Sequence, residues 1–254
     1  MGSLAIGRSG PAAAGPTSSG PERPARRAGG IEQRLNALRA GVLGANDGIV
    51  SVAAVVVGVA GATTQTGPIA TAGLAAALGG AVSMALGEYV SVSSQRDSER
   101  HLIAVRKQAL REDPEGQVRE LAAMYEARGL SPATARQVAD EETRTGALAA
   151  HVRARHHIDL DDVASPWHAA FASFGSFVLG ALLPLVAILL PPAHVRVPVT
   201  FVATLVALAL TGAIAAGIGG GSRRHAALRV VLGGALALAV TYAAGVLLGV
   251  SGVV

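Results

Sequence analysis

Two carboxylates lie in stretches of the sequence that otherwise carry almost no charge. Asp47 stands at the start of a long apolar run, in GVLGANDGIVSV, and Glu88 stands near the end of the next run. Four of the 17 acids lie outside residues 95–162, and the other two of these four, Glu22 and Glu32, precede the first run. No basic residue lies deep in either run, so each carboxylate must be protonated, face water or hold a cation. The two residues therefore indicate an ion or proton path.

A methionine shares a helix face with the second carboxylate. Met84 precedes Glu88 by four residues, which places the two side chains one turn apart on a helix. Thioether and carboxylate together suit Fe²⁺ or Mn²⁺ better than Mg²⁺ or Ca²⁺, which prefer oxygen ligands alone. Met84 also fits the interpretation of apolar core filler, and Asp47 that of a helix-start residue stabilised by the helix dipole. Asn46 and Ser83 are candidate polar neighbours of the site.

The elements that must position these residues are transmembrane helices. Only 15% of the residues are charged, whereas a soluble domain usually carries about a quarter. Five stretches reach the roughly 20 apolar residues that cross a bilayer, and they run over 38–61, 68–92, 166–190, 197–220 and 226–250. The sequence therefore predicts an all-α integral membrane protein with five transmembrane helices. Its predicted regions are a disordered tail (1–30), two spans (31–94), a helical insert (95–162) and three spans (163–254).

The distribution of arginine predicts the orientation. Short Arg-rich segments stay in the cytoplasm, so we expect the N-terminus, the 95–162 insert and the 223–229 loop inside, and the C-terminus outside. The tail lacks the apolar core of a signal peptide and is expected to remain. The richness in Arg, Ala and Gly hints at a GC-rich bacterial genome, hence at a bacterial inner membrane. The basic residues form no patch with interleaved aromatics, so no nucleic acid partner is expected.

Further sequence patterns predict the helices of the insert and the packing of the spans, and they argue against several kinds of chemistry. The second span is expected to continue as a helix up to Pro114, followed by a helix ending at Gly129 and another capped by Ser131, as an antiparallel hairpin. Small residues recur at helix-packing spacing, as Gly80, Ser83 and Gly87 and as Gly245 and Gly249. Such rows fit either packing within one bundle or a homodimer face, and the spacing leaves both open. The chain has no cysteine and no Walker, HExxH or nucleophile–base pattern, so neither an enzyme nor a prosthetic group is indicated.

Two span motifs carry a family resemblance. GANDGIVSVAAVVVGVAGA in the first span and GAVSMALGEYVSVSSQRDSER leaving the second resemble the bacterial branch of the vacuolar iron transporter family. DPEGQVRELAAMYEARGL, followed by ARQVADEE, is similar to the cytosolic hairpin of that family. The resemblance implies five spans, a homodimer with the ion path between its protomers, and export of Fe²⁺, often also Mn²⁺, against protons. The first-span Asp and second-span Met of the family match Asp47 and Met84.

The insert departs from the family pattern. Glutamates that collect metal in the family fall here on Arg106, Ala109, Gln117 and Glu120, and a further one falls on Arg155. Only Glu120 keeps a carboxylate, so it is the one candidate metal ligand of the insert. Four histidines of the insert could compensate or could be solvated surface residues, and they are His101, His151, His156 and His157.

The sequence thus predicts a proton-coupled exporter of Fe²⁺ and Mn²⁺, with Asp47 as the first strong ligand that an exported ion meets. Two alternatives remain open. One is a membrane sensor or scaffold of the same fold that transports nothing, and the other is a proton-coupled carrier of another cation.

Overall fold

The computed structural model describes residues 24–156, 158, 160 and 165–250. These residues form seven helices and no strand, and the chain divides into two compact units, 1–37 and 38–254. The helices are α1 (Pro24–Ala62), α2 (Thr66–Glu112), α3 (Pro114–Glu126), α4 (Pro132–His156), α5 (Pro166–Leu189), α6 (Arg196–Ile218) and α7 (Arg223–Val250). In the first unit, α1 begins at Pro24, within the segment predicted to be disordered, because proline is favoured at the first helical position. The tail before Pro24 lies outside the described residues.

Five of the helices are long and apolar enough to cross a membrane. They are α1 from Gly41 onward, α2, α5, α6 and α7. The predicted all-α fold with five spans is therefore confirmed, with boundaries that differ by a few residues. Pro166 starts α5, and the sequence turns at Gly220, whose φ of 71° favours glycine, before α7 begins.

The second half of α1 shares buried clusters with all four other spanning helices. Val52 and Val56 belong to a cluster with α2 and α5, Ile49 to one with α6, and Val57 to one that includes Leu238 of α7. Because α1 is the common member, it is the central helix of the bundle. One side of α1 nevertheless stays exposed in the single chain, because Leu43, Asp47 and Val55 recur at spacings of four and eight residues and are all exposed.

Glycines let the backbones of α1, α5 and α7 touch. A Cβ at Gly48 of α1 would overlap the carbonyl oxygen of Phe177 in α5. A Cβ at Gly245 of α7 would overlap the carbonyl oxygen of Gly58, and one at Gly249 would lie 2.8 Å from the carbonyl oxygen of Ala62. The Gly245 and Gly249 row therefore packs inside the bundle, which decides between the two interpretations of its spacing.

The small residues of α2 differ in whether they pack within the bundle or face outward. Gly80 lies against the ring of Phe177, so it serves packing within the chain. Ser83 and Gly87 are exposed, and a Cβ at Gly87 would meet no atom within 4 Å. This face of α2 is left open in the single chain.

The insert is a pair of short helices on an extension of α2. As predicted, α2 runs unbroken to Glu112, and the Asp113 carboxylate then caps α3 by accepting from the backbone N–H of Gly116 at 2.8 Å. Gly129, with φ of 97°, follows α3, and the Ser131 hydroxyl accepts from the backbone N–H of Thr134 at 3.3 Å to start α4. Buried residues such as Leu121 pack α3 against α4, and the helical backbone of α4 is interrupted at Gly146. On which side of a membrane the insert lies stays a prediction.

Candidate functional site

Asp47 is an exposed carboxylate on the central helix. The hydroxyl of Ser51, one turn later on α1, donates to its Oδ1 at 2.9 Å. Among the described residues, no Arg, Lys or His forms an ion pair with Asp47 or with Glu88. The structure thus retains the feature that the sequence indicated, an acid in an apolar helix with no basic partner.

Asn46 points to a different neighbour and sets the rotation of α1. The hydroxyl of Thr211 in α6 donates to Oδ1 of Asn46 at 3.0 Å. Successive residues of a helix point about 100° apart, so fixing Asn46 against α6 directs Asp47 out of the bundle. Ser51 could have been identified from its spacing to Asp47. Thr211 could not, because it lies in another helix, 165 residues away.

Met84 lies beside α1 at the turn before Asp47. It is half-buried and packs against the cluster shared by α1, α2 and α5. Its Cε lies 3.4 Å from the position that a Cβ on Gly44 would occupy. Gly44 and Asp47 are three residues apart and therefore share a face of α1. A Cβ on Gly44 would also lie 3.0 Å from the Cβ of Ser176 in α5, so Gly44 lies where α1, α2 and α5 meet.

Glu88 lies one turn further along α2, on the side of the insert. It is half-buried, whereas Ser83 is exposed. Because α1 and α2 run in opposite directions from the level of Gly44 and Met84, the rise of the helices separates Asp47 and Glu88 by about 10 Å along the bundle. The order from the insert is Glu88, Met84 and Asp47, so the structure places Glu88, and not Asp47, nearest to the insert.

Glu120 is held between two arginines. Nη1 of Arg106 donates to its Oε2 at 2.9 Å, and Arg155 forms an ion pair with its Oε1. Arg106 is buried and also donates to Gln117. A divalent cation at Glu120 would have to displace two guanidinium groups, and this geometry argues against the candidate ligand of the insert.

The histidines of the insert differ in their surroundings. His151 is fully buried in the hairpin, and neither ring nitrogen has a hydrogen-bond partner among the described residues. Burial, and next the charge of Arg106, lower the pKa of His151, against a smaller opposite effect of Glu142. Burial and Arg155 lower the pKa of His156 as well, and His101 is exposed. His157 lies outside the described residues.

The described residues of one chain hold no cluster of three His, Asp or Glu side chains that come close enough to hold a metal ion together. The structure places the Ser51 hydroxyl on the Asp47 carboxylate, and the Met84 side chain on α2 against Gly44, one turn before that carboxylate.

Comparisons with a family model and with individual proteins point to the same family. A family model described as the VIT family matches residues 38–246. The chain is 40% identical over 211 residues to a protein of Acanthamoeba castellanii named vacuolar iron transporter, an alignment that covers 83% of this chain and 78% of that one. It is 35% identical over 211 residues to vacuolar iron transporter homolog 2 of Oryza sativa subsp. japonica, covering 83% and 89%. It is also 32% identical over 222 residues to vacuolar iron transporter homolog 3 of Arabidopsis thaliana, covering 87% and 88%. The family match, these relatives and the five apolar helices show that this chain is a multi-pass membrane protein of the VIT family.

Proposed function

We propose that the chain exports Fe²⁺ from the cytosol in exchange for protons, with Mn²⁺ as a second cargo. The observation that carries the proposal is Asp47, a carboxylate of a membrane-crossing helix. Its side chain is exposed, and among the described residues its hydrogen-bond partner is the Ser51 hydroxyl. Such an acid is rarely kept in hydrocarbon without an ion or proton to bind. The neighbouring Met84 thioether favours Fe²⁺ or Mn²⁺ over Mg²⁺ and Ca²⁺. The names of the relatives agree with iron as the cargo.

The proposed direction follows from the placement of charge. We place the chain in a bacterial inner membrane with the N-terminus and the 95–162 insert in the cytosol, because its Arg-rich segments would all then face inside. The ion would meet Glu88 first, pass Met84, and reach Asp47. Protons would replace it at each carboxylate on the return.

Exposed polar and small residues in two of the spanning helices support a homodimer. Asp47 and Ser83 are exposed and Gly87 is open, although all three lie in helices that cross the membrane. Among the described residues of one chain, no three His, Asp or Glu side chains lie close enough together to hold a metal ion. A second copy facing this surface would double the carboxylates and thioethers and remove Asp47 from lipid.

Flux through proteoliposomes tests the carboxylate. Asp47→Asn keeps the size of the side chain and removes the charge, so Fe²⁺ flux is expected to fall by more than the roughly tenfold that loss of an outer-shell partner causes. The matched control is Glu126→Gln, since Glu126 is an exposed acid of α3, outside the proposed path. Wild-type flux in Asp47→Asn would refute the proposal. No flux of any cation in the wild type would favour the sensor or scaffold.

The thioether is tested by selectivity. Met84→Leu conserves volume and removes only the sulfur, so the preference for Fe²⁺ over Mg²⁺ in competition flux is expected to fall while folding is retained. The same assay with Mn²⁺ ranks the two cargoes, and repeating it with and without a pH gradient tests the exchange with protons. A wild type without preference for Fe²⁺ or Mn²⁺ would instead indicate a carrier of another cation.

A further inference from the structure

A cleft opens between the C-terminal end of α6 and the first turns of α7. It has a volume of about 450 Å³ and none of its lining residues belongs to the candidate metal path. Its walls are apolar, formed by residues such as Ala216 of α6 and Val230 of α7, while Ser222, His225 and Arg229 line it as well. Since α6 and α7 meet at the end of the bundle that carries the insert, the cleft lies where membrane headgroups would meet this end.

The positive charge at this cleft has no acidic counterpart. The sequence contains no Asp or Glu after Asp162, and in the described part of the chain no carboxylate pairs with Arg223, Arg224 or Arg229.

Arg223 and Arg229 differ in what offsets their charge. The guanidinium Nε of Arg223 lies 3.3 Å from where a Cβ on Gly217 would be, against the C-terminal turn of α6, whose carbonyl dipoles favour a cation. Arg229 lines the cleft without such compensation, beside His225, whose Nδ1 lies 3.0 Å from the Ser222 hydroxyl. The cleft is therefore apolar inside and cationic at its rim.

We propose that this cleft binds one phospholipid with a net negative headgroup. The phosphate would be held by Arg229 and His225, and the glycerol and first acyl carbons would lie against the alanine and valine walls. Basic pockets between transmembrane helices bind acidic headgroups in this way. A zwitterionic lipid fits less well, because its ammonium group would face the same unneutralised arginines. The stem of Arg229 is long enough for its guanidinium to reach the headgroup level from the second turn of α7.

Native mass spectrometry of the full chain in detergent, titrated with phosphatidylglycerol or phosphatidylcholine, tests the proposal. The wild type is expected to retain one phosphatidylglycerol in preference to phosphatidylcholine. Arg229→Gln is expected to weaken this binding about tenfold, through loss of a charge-assisted hydrogen bond. The matched control is Arg224→Gln, the same loss of charge at an exposed residue that does not line the cleft. It is expected to weaken binding less than about threefold.

A second variant separates the shape of the cleft from its charge. Ala216→Leu fills the apolar wall and leaves every cation in place, and it too is expected to lower phosphatidylglycerol binding about tenfold. Equal effects of Arg229→Gln and Arg224→Gln would show general surface attraction and overturn the proposal, as would unchanged binding in Ala216→Leu. Full competition by inorganic phosphate would show that an anion alone is the ligand and would also overturn it.

Discussion

The contact between α1 and α5 at Gly48 is the place where one added methyl group is expected to change the molecule most. In Gly48→Ala the new Cβ would overlap the carbonyl oxygen of Phe177 and lie 3.0 Å from its carbonyl carbon and 3.1 Å from the backbone nitrogen of Ala181. Optimal separations of such atoms are about 3.5–4.0 Å. Backbone atoms cannot turn aside as a flexible side chain can, so the two helices must separate by about 1 Å to restore ordinary contacts.

The expected magnitude follows from that separation. Overpacking of a well-packed core costs about 1–3 kcal/mol, and the absence of a movable side chain places Gly48→Ala at the upper end of this range. Separation of α1 from α5 would also move Asp47, the next residue, relative to Met84. We therefore expect loss of stability together with a lower Fe²⁺ flux per folded molecule.

Thermal unfolding in detergent measures the effect against a matched control. Gly79→Ala is the same change in α2, at an exposed glycine where a Cβ would meet no atom within 4 Å. Alanine favours a helix over glycine by about 1 kcal/mol in water, so Gly79→Ala is expected to leave the midpoint unchanged or raise it. Equal unfolding temperatures of Gly48→Ala and Gly79→Ala would contradict the close contact between the backbones of α1 and α5.

The insert gives two further predictions. Because the pKa of His151 is lowered below its ordinary value of 6.5, the folded hairpin binds fewer protons than the unfolded one. Its stability is therefore full above about pH 6.5 and falls as the pH decreases toward the folded pKa, and His151→Leu should flatten this dependence in hydrogen exchange between about pH 7.5 and pH 5. Arg106→Ala should destabilise the insert by about 3 kcal/mol, since it removes a buried partner of Glu120 and Gln117, whereas Arg155→Ala, at a half-exposed pair, should cost under about 1 kcal/mol. Equal effects in chemical unfolding would contradict the burial of Arg106.

The helices could be predicted from the sequence because their signals are local. Hydropathy located the five spans, and the caps at Asp113 and Ser131 act within three residues of their own chain. The choice between packing and dimer for Gly245 could not be made, because the spacing of small residues is the same in both cases. Only the partner, Gly58 on α1, decides it.

The residue types of the candidate site can be read from the sequence, but their geometry cannot. An acid without a basic neighbour in an apolar run is visible in the sequence, and its role as a metal ligand stays a prediction. The Asn46–Thr211 hydrogen bond and the level of Met84 against Gly44 join different helices, so nothing in the sequence near these residues reveals them. The order of Asp47 and Glu88 along the bundle depends on Met84 lying level with Gly44. The sequence alone did not reveal this, so Asp47 was expected to meet the ion first, whereas Glu88 lies nearer to the insert.

Glu88 and Glu120 differ in the charges that surround them. Glu120 lies in the insert, where family resemblance suggests metal collection, but two guanidinium groups already supply its positive charge. Glu88 has no ion-pair partner among the described residues and lies at the insert end of an apolar helix. A cation gains most at the carboxylate that is least compensated, since a paired carboxylate offers it only the difference between two attractions. Under the proposed function, capture of the ion is therefore expected at Glu88 and not at Glu120, whose two arginine partners instead join α2, α3 and α4 of the insert.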